Sequence, residues 1–147
     1  MNIRIGSQDF DIKEEINNIS LTGAGAVVTF TGIVRPQGEQ GDLHAMELEH
    51  YPGMTESCIA AIVERACQRW QLMDVTVIHR VGHLLPGDNI VFVGVAASHR
   101  AAAFAGAEFI MDYLKIEAPF WKKEITSNGD FWIEQKSKDQ QAMERWS

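Results

Sequence analysis

Met111-Asp112-Tyr113-Leu114-Lys115-Ile116-Glu117-Ala118-Pro119-Phe120-Trp121-Lys122-Lys123-Glu124 joins the end of a helix to the start of a strand, and its reading decides the fold. Upstream, residues from about Arg100 to Ile116 form a long helical pattern that Pro119 terminates, because proline lacks the N–H and clashes with the preceding turn. Downstream, residues 120–126 alternate as a strand does. Period two puts Phe120, Lys122 and Glu124 on one face and Trp121, Lys123 and Ile125 on the other. Three lysines therefore sit among Met, Tyr, Leu, Phe and Trp in a chain of net charge -7. A lysine stem is easily buried, but its ammonium is not. Such a lysine needs an anionic partner or becomes chemically useful through a shifted pKa. The segment points to an anion-binding or a catalytic site.

The rest of the chain fits around this junction. Its 147 residues, 46% hydrophobic and 22% charged, suit a single domain spanning 1–147 with a real core. No apolar run approaches the roughly 18 residues of a membrane span, and the N-terminus lacks the apolar region of a secretory signal. The expectation is a cytoplasmic protein without a membrane partner. The acidic balance argues against a nucleic-acid partner, so any anion site must be a local pocket. Cys58 and Cys67 fall on one helix, roughly 13 Å apart, too far to bridge. Both are read as reduced structural thiols.

Residues 2–5 read as a strand, and Asp11-Ile12-Lys13-Glu14 has the form of a capping box opening a short helix. Residues 25–34 are β-branched and strand-like. Residues 36–42 form a polar Gly/Pro loop expected to be mobile. Residues 43–50 form another strand. A helix follows from Thr55, its expected N-cap, to Trp70, with Ile59, Ile62, Val63, Ala66, Cys67 and Trp70 on the buried face. Residues 75–81 and 90–97 are strands, the second apolar on both faces and hence central. Between them, residues 82–89 read as a connection with a turn at Pro86-Gly87. Asn128-Gly129 signals a C-terminal hairpin. The polar tail from Gln135 has a helical cast. The fold class is α+β, with a mixed or antiparallel sheet and two long helices.

Four features could carry chemistry. Phe104, Ala107, Met111 and Lys115 share a helical stripe expected to face the sheet, and Lys115 ends it; a snorkelling lysine at a helix C-terminus explains it equally well. Lys122 and Glu124 are neighbours on one strand face, either an acid/base pair or a solvated ion pair. Ser98-His99-Arg100 marks the start of a helix, with Ser98 as N-cap, where free N–H groups and two cationic side chains suit a phosphate. Arg35 ends an apolar strand and could close over a ligand. His50, His79 and His83 form no metal-like set and are read as packing or surface residues. These readings stop at a pocket for a small phosphorylated molecule, with lysine chemistry available.

The strings GAVVTFTGIVR, LEHYPGM, VTVIHRVG, LLPGDNIVFVGV, SHRAAAF and FIMDYLKIEAPFWKKE resemble the large, catalytic subunit of molybdopterin synthase, from about Gly23 to Trp146. The resemblance implies an α/β-hammerhead fold. It implies a sulfurtransferase that converts cyclic pyranopterin monophosphate to molybdopterin by installing a dithiolene. The sulfur would come from a thiocarboxylate on the C-terminal Gly-Gly of a small ubiquitin-like subunit. The implied assembly is a large-subunit homodimer with a small subunit at each end, a heterotetramer. No metal, flavin or nucleotide cofactor is required of this chain.

By the same resemblance, Lys115 and Lys122 are catalytic. Ile33, Val34, Arg35, His99, Arg100, Lys115, Lys122, Lys123 and Glu124 bind substrate, and Phe30 and Met111 line the pocket. Strand alternation meanwhile turns Lys123 away with Trp121. Lys136 stands where the family carries an arginine, keeping charge but losing the bidentate fork. Two other readings compete: a non-catalytic module that binds an anionic ligand, and an acid–base isomerase using Lys122 and Glu124 without a partner protein.

Overall fold

The structure is a computed structural model that describes residues 1–20, 22–134 and 137–147. Lys136 lies outside the described residues. The elements are β1 (Asn2–Gly6), α1 (Ile12–Ser20), β2 (Ala26–Ile33), β3 (Leu43–His50), α2 (Met54–Trp70) and β4 (Asp74–Arg80). They continue as β5 (Gly82–Leu84), β6 (Asn89–Ala97), α3 (Arg100–Glu117), β7 (Phe120–Thr126), β8 (Gly129–Ile133) and α4 (Ser137–Glu144).

The strands form two sheets. The first has the order β1-β4-β6-β2 and the second the order β5-β3-β7-β8. In the first, β1 runs parallel to β4, whereas β4, β6 and β2 pair antiparallel. The second is antiparallel throughout. The α+β class expected from the sequence is the one observed. The added finding is the division into two sheets and the short strand β5.

The first sheet is covered on both faces, which explains why β4 and β6 are apolar on both sides. On one face, Ile59, Ile62, Val63 and Ala66 of α2 and Ala107, Ile110 and Leu114 of α3 pack on Val75, Val77, Val93 and Val95. On the other, Phe10, Ile12 and Ile16 close over Ile78 and Phe92. A separate core of Val34, Leu43, Met46, Leu48 and Leu84 binds the second sheet to the end of β2. β2 is an edge of its sheet, so the chain leaving it crosses to the second sheet at residues 34–43.

Asp11 caps α1 as expected, its Oδ1 accepting the Glu14 N–H at 3.2 Å, but the other two expected caps are corrected. Gly53 is the N-cap of α2, with a positive φ of 85° that glycine tolerates. Thr55 lies inside the helix instead, its hydroxyl accepting from the Tyr51 N–H at 3.0 Å and donating to the Pro119 carbonyl at 3.0 Å. It therefore ties the start of α2 to the turn between α3 and β7. For α3 the N-cap is His99 in extended conformation, with no side-chain cap, and Ser98 stands outside.

The stripe Phe104, Ala107, Met111, Lys115 is also corrected as a core face. Phe104 is 61% exposed, and the buried face runs through Ala103, Gly106, Ala107, Phe109, Ile110 and Leu114. The expected stripe is a flank of that face.

Gly25 is required by close approach. A Cβ there would lie 2.1 Å from the Ser98 carbonyl oxygen, a backbone atom that cannot swing aside. We predict that Gly25→Ala destabilises the chain by about 1–3 kcal/mol, since an inserted methyl must push β2 from the Ser98 turn. A thermal melt matching the native one would contradict this close contact.

Candidate active site

One cavity of ≈ 680 Å³ opens where the two sheets meet. The end of β2 and the following residues supply Phe30, Ile33, Arg35 and Gln37, the last turns of α3 supply Met111 and Lys115, and β7 supplies Phe120, Lys122 and Glu124. Pro119 is central to this arrangement. It stops α3 so that β7 can turn back alongside β3, which brings the two lysines of one local segment to one space. The structure thus places Phe30, Ile33, Arg35, Met111, Lys115, Lys122 and Glu124 around a single cavity.

Four residues from the expected set lie elsewhere. Val34 is fully buried in the core beneath the second sheet, so it anchors Arg35 rather than lining the cavity. Its N–H donates to the Asp88 carbonyl at 2.9 Å, and its own carbonyl accepts from the Gly87 N–H at 2.8 Å. Lys123 points to the opposite face of the second sheet, as alternation requires. Its Nζ lies 3.2 Å from Glu47, the cross-strand neighbour, and 5.7 Å from the Trp132 ring centre. The ion pair holds the Glu47 carboxyl below its ordinary range, mainly through the Lys123 hydrogen bond.

His99 and Arg100 are exposed at the other end of α3. Fifteen residues of helix separate Arg100 from Lys115, a rise of about 22 Å. Neither belongs to the cavity lined by this chain's Lys115.

Glu124 is 3% exposed, and its carboxylate accepts the Glu39 N–H at 2.9 Å. A Cβ on Gly38 would sit 2.8 Å from the same oxygen. The loop 36–42 is therefore drawn down over Glu124. It is further bound by Gly38 N–H to the Gly41 carbonyl at 2.8 Å and Gln37 Nε2 to Asp42 Oδ1 at 2.8 Å. Asn128 Nδ2 donates to the Gln40 carbonyl, fastening the loop to the β7–β8 hairpin. The Gly/Pro loop is thus held by hydrogen bonds both within itself and to β7 and the hairpin.

The charge pattern favours an anion. Among the described residues, neither Arg35 nor Lys115 forms an ion pair, and with Lys122 and Lys138 they outnumber the cavity's carboxylates, Glu124, Glu134 and Asp139. Lys138 and Asp139 of α4 also line it, an addition that the polar tail did not reveal. α4 is held there through Arg145 on Asp112 at 2.9 Å and Trp146 Nε1 on the same carboxylate at 2.7 Å.

His79, read from the sequence as packing, is a further wall residue. It stacks on Phe120 at 3.9 Å between ring centres and 19° between planes. Burial lowers its pKa to about 4, and the nearby His50 and Lys115 charges act in the same direction. Its signal in the sequence was position: it ends a run of inward residues on β4, next to the junction of the sheets. The cysteines take no part. Both are free thiols outside the cavity lining, and burial pushes Cys67 up, away from the reactive thiolate.

A pocket walled by arginine and lysines, floored by apolar side chains and set between two sheets defines a binder of a small anionic molecule. The chain belongs to the MoaE protein family, whose model matches residues 5–117. It is 54% identical over 145 residues to the molybdopterin synthase catalytic subunit of Escherichia coli (strain K12), covering 98% of this chain and 97% of that one. Among solved structures, the molybdopterin biosynthesis MoaE protein from Burkholderia ambifaria MC40-6 aligns with a TM-score of 0.83 at 48% identity, over 100% of this chain and 99% of the other. Molybdopterin synthase from Staphylococcus aureus aligns with a TM-score of 0.82 at 29% identity, over 89% and 96% of the two chains. No helix among the described residues is long and apolar enough to cross a membrane.

Proposed function

We propose that the cavity is the active site of a cytoplasmic sulfurtransferase that converts cyclic pyranopterin monophosphate to molybdopterin. Sulfur is supplied by the thiocarboxylated Gly-Gly tail of a small ubiquitin-like partner. The observation that carries this reading is the convergence of Arg35, Lys115 and Lys122, from three separate elements, on one cavity.

The roles follow from charge and placement. The thiocarboxylate sulfur forms a C–S bond to a side-chain carbon of the pterin as a C–O bond of that carbon breaks, its oxygen leaving as water or staying on the phosphate of the opened cyclic ester. Water then cleaves the acyl–sulfur bond, leaving sulfur on the pterin and a carboxylate on the partner; a second tail repeats the step. Lys115, at the open end of α3, receives the anionic tail and stabilises the oxyanion that forms as the acyl carbon becomes tetrahedral. Lys122 transfers a proton on the pterin side. Arg35 holds the phosphate with its planar fork. Glu124 keeps the loop 36–42 closed beside them.

His99 and Arg100 enter through a second copy. They are about 22 Å of helix from Lys115, while exposed Phe30, Ile33 and Phe104 leave an apolar patch along β2 and α3. A dimer across this patch carries the His99–Arg100 helix start toward the neighbouring cavity, where it completes the phosphate site. The prediction is complementation. Lys115→Ala and Arg100→Ala chains, each deficient alone, regain about a quarter of native activity when subunits are mixed at random, because half the dimers are hybrids with one intact site of two. No recovery after verified subunit exchange would place Arg100 outside the neighbour's site.

The test of the function is reconstitution of the chain with the thiocarboxylated partner and the cyclic pterin. A dithiolene product is expected, and none when the partner ends in an ordinary carboxylate. Turnover of the pterin without any partner would overturn the reading in favour of an isomerase. Tight pterin binding without product would favour a non-catalytic module.

A further inference from the structure

The cavity's cations can only donate hydrogen bonds, which suits a phosphate and a thiocarboxylate but not a heterocycle rich in N–H groups. A pterin ring presents N–H and amino hydrogens that need acceptors. Glu124, Glu134 and Asp139 also line the cavity, and Glu124 already accepts the Glu39 N–H; a carboxylate beside two anionic ligands repels them, so a neutral acceptor fits the heterocycle better.

His79 has the geometry of one. Its Nδ1 lies 2.8 Å from the Arg80 carbonyl oxygen, and a carbonyl cannot donate, so Nδ1 carries the hydrogen. In the neutral ring, Nε2 is then a bare lone pair. No buried side-chain nitrogen or oxygen among the described residues lacks a hydrogen-bond partner. Nε2 has no protein partner, so it must reach open space, although the residue as a whole is only 7% exposed. The space that His79 lines is the cavity. The groups facing it are Lys115 from α3, His50 from β3 and the Phe120 ring from β7. The two cationic or ionisable neighbours and the burial all keep the ring neutral. The Phe120 stack fixes its plane, so the lone pair has one direction.

We propose that His79 is a specificity-determining residue whose Nε2 accepts a hydrogen bond from a ring N–H or amino group of the bound pterin. This rests on the cavity being the pterin site. It places the heterocycle on the His79–Phe120 side, with the phosphate toward Arg35.

The experiment has two arms. In the first, cyclic pyranopterin monophosphate is titrated into the native chain, His79→Phe and His79→Gln. The phenylalanine keeps the ring and its stack but removes the acceptor, and should weaken binding about 5- to 100-fold. The glutamine offers a carbonyl acceptor and should recover most of the affinity, with KM moving more than kcat. A purely structural role would show no such rescue. Equal affinity in native and His79→Phe chains, or equal loss in both variants, would overturn the assignment. In the second arm, nitrogen NMR of the native chain should show His79 protonated at Nδ1 and bare at Nε2 from about pH 5 to 8. Its Nε2 resonance should shift on adding the pterin. A proton on Nε2, or an unmoved resonance in the saturated complex, would refute the proposal even if the variants failed to fold. Failure of the native chain to bind the pterin would refute the reading of the cavity itself, and this inference with it.

Discussion

Lys115→Ala is expected to lower dithiolene formation about 10²- to 10⁴-fold while leaving the fold intact. The asymmetry follows from where the residue sits. Lys115 is exposed on the last turn of α3 and, among the described residues, forms no ion pair. Its loss removes only a favourable interaction with the helix C-terminus, about 0.3–1 kcal/mol, partly offset by the higher helix propensity of alanine. The same ammonium faces the cavity, where the proposed reaction develops negative charge on an acyl oxygen and a single positioned donor would be worth far more than in water. Lys115→Arg keeps the charge but not the compact ammonium, and should restore only part of the rate. The check is a single-turnover measurement with the thiocarboxylated partner, beside a thermal melt. A native rate in Lys115→Ala would remove Lys115 from the chemistry. A collapsed melting temperature would mean that the lysine is structural.

The second large effect is on stability in acid. His79 titrates near 6.5 when unfolded and at about 4 in the folded chain, because burial disfavours its charged form. Between those two values the unfolded chain binds the extra proton and the folded chain does not, so stability rises with pH across this window. The contribution is fully present above about pH 6.5, falls as pH drops, and levels off below about pH 4, when the folded imidazole is protonated too. The full change is about 3 kcal/mol, the free energy of one proton between a pKa of 6.5 and one of about 4. Carboxylates also titrate in acid, so the informative quantity is the difference between the native chain and His79→Phe. Urea melts at pH 7 and pH 4.5 should show the native chain losing more stability than the variant, by most of that amount. Parallel losses would mean that His79 is not held neutral by the fold.

Much of this architecture is legible in local sequence pattern. The two long helices, the central strand β6, the Pro119 stop and the alternation of β7 all follow from periodicity and steric rules that act over a few residues. The separation of Lys122 from Lys123 is the clearest case: period two alone sent one to the cavity and the other to Glu47. What local pattern could not carry is partnership across the chain. β5 is three residues long and embedded in turn chemistry, and only its pairing with β3 makes it a strand. Glu124 was read against Lys122, two residues away, whereas its carboxylate holds Glu39 from another loop. His79 was read as packing because alternation tells inside from outside and cannot tell core from cavity floor.

The placement of His99 and Arg100 is different, because elementary geometry already separates them from Lys115. One helix cannot put both of its ends into one small cavity. Grouping all the cations as one set was correct for a binding site only if two copies contribute to it. Phe104 bears on the same point: a helical stripe marks it as core, yet it is exposed, as are Phe30 and Ile33 of the edge strand, and a second copy would cover it.

The central claim is that this cavity moves sulfur from a protein thiocarboxylate to a pterin. The most direct measurement uses a partner tail carrying a heavy-sulfur-labelled thiocarboxylate, followed by mass spectrometry of the pterin product. Both dithiolene sulfurs should carry the label, and each tail consumed should return as a carboxylate. Product without label, or labelled sulfur remaining on the partner while product forms, would contradict it.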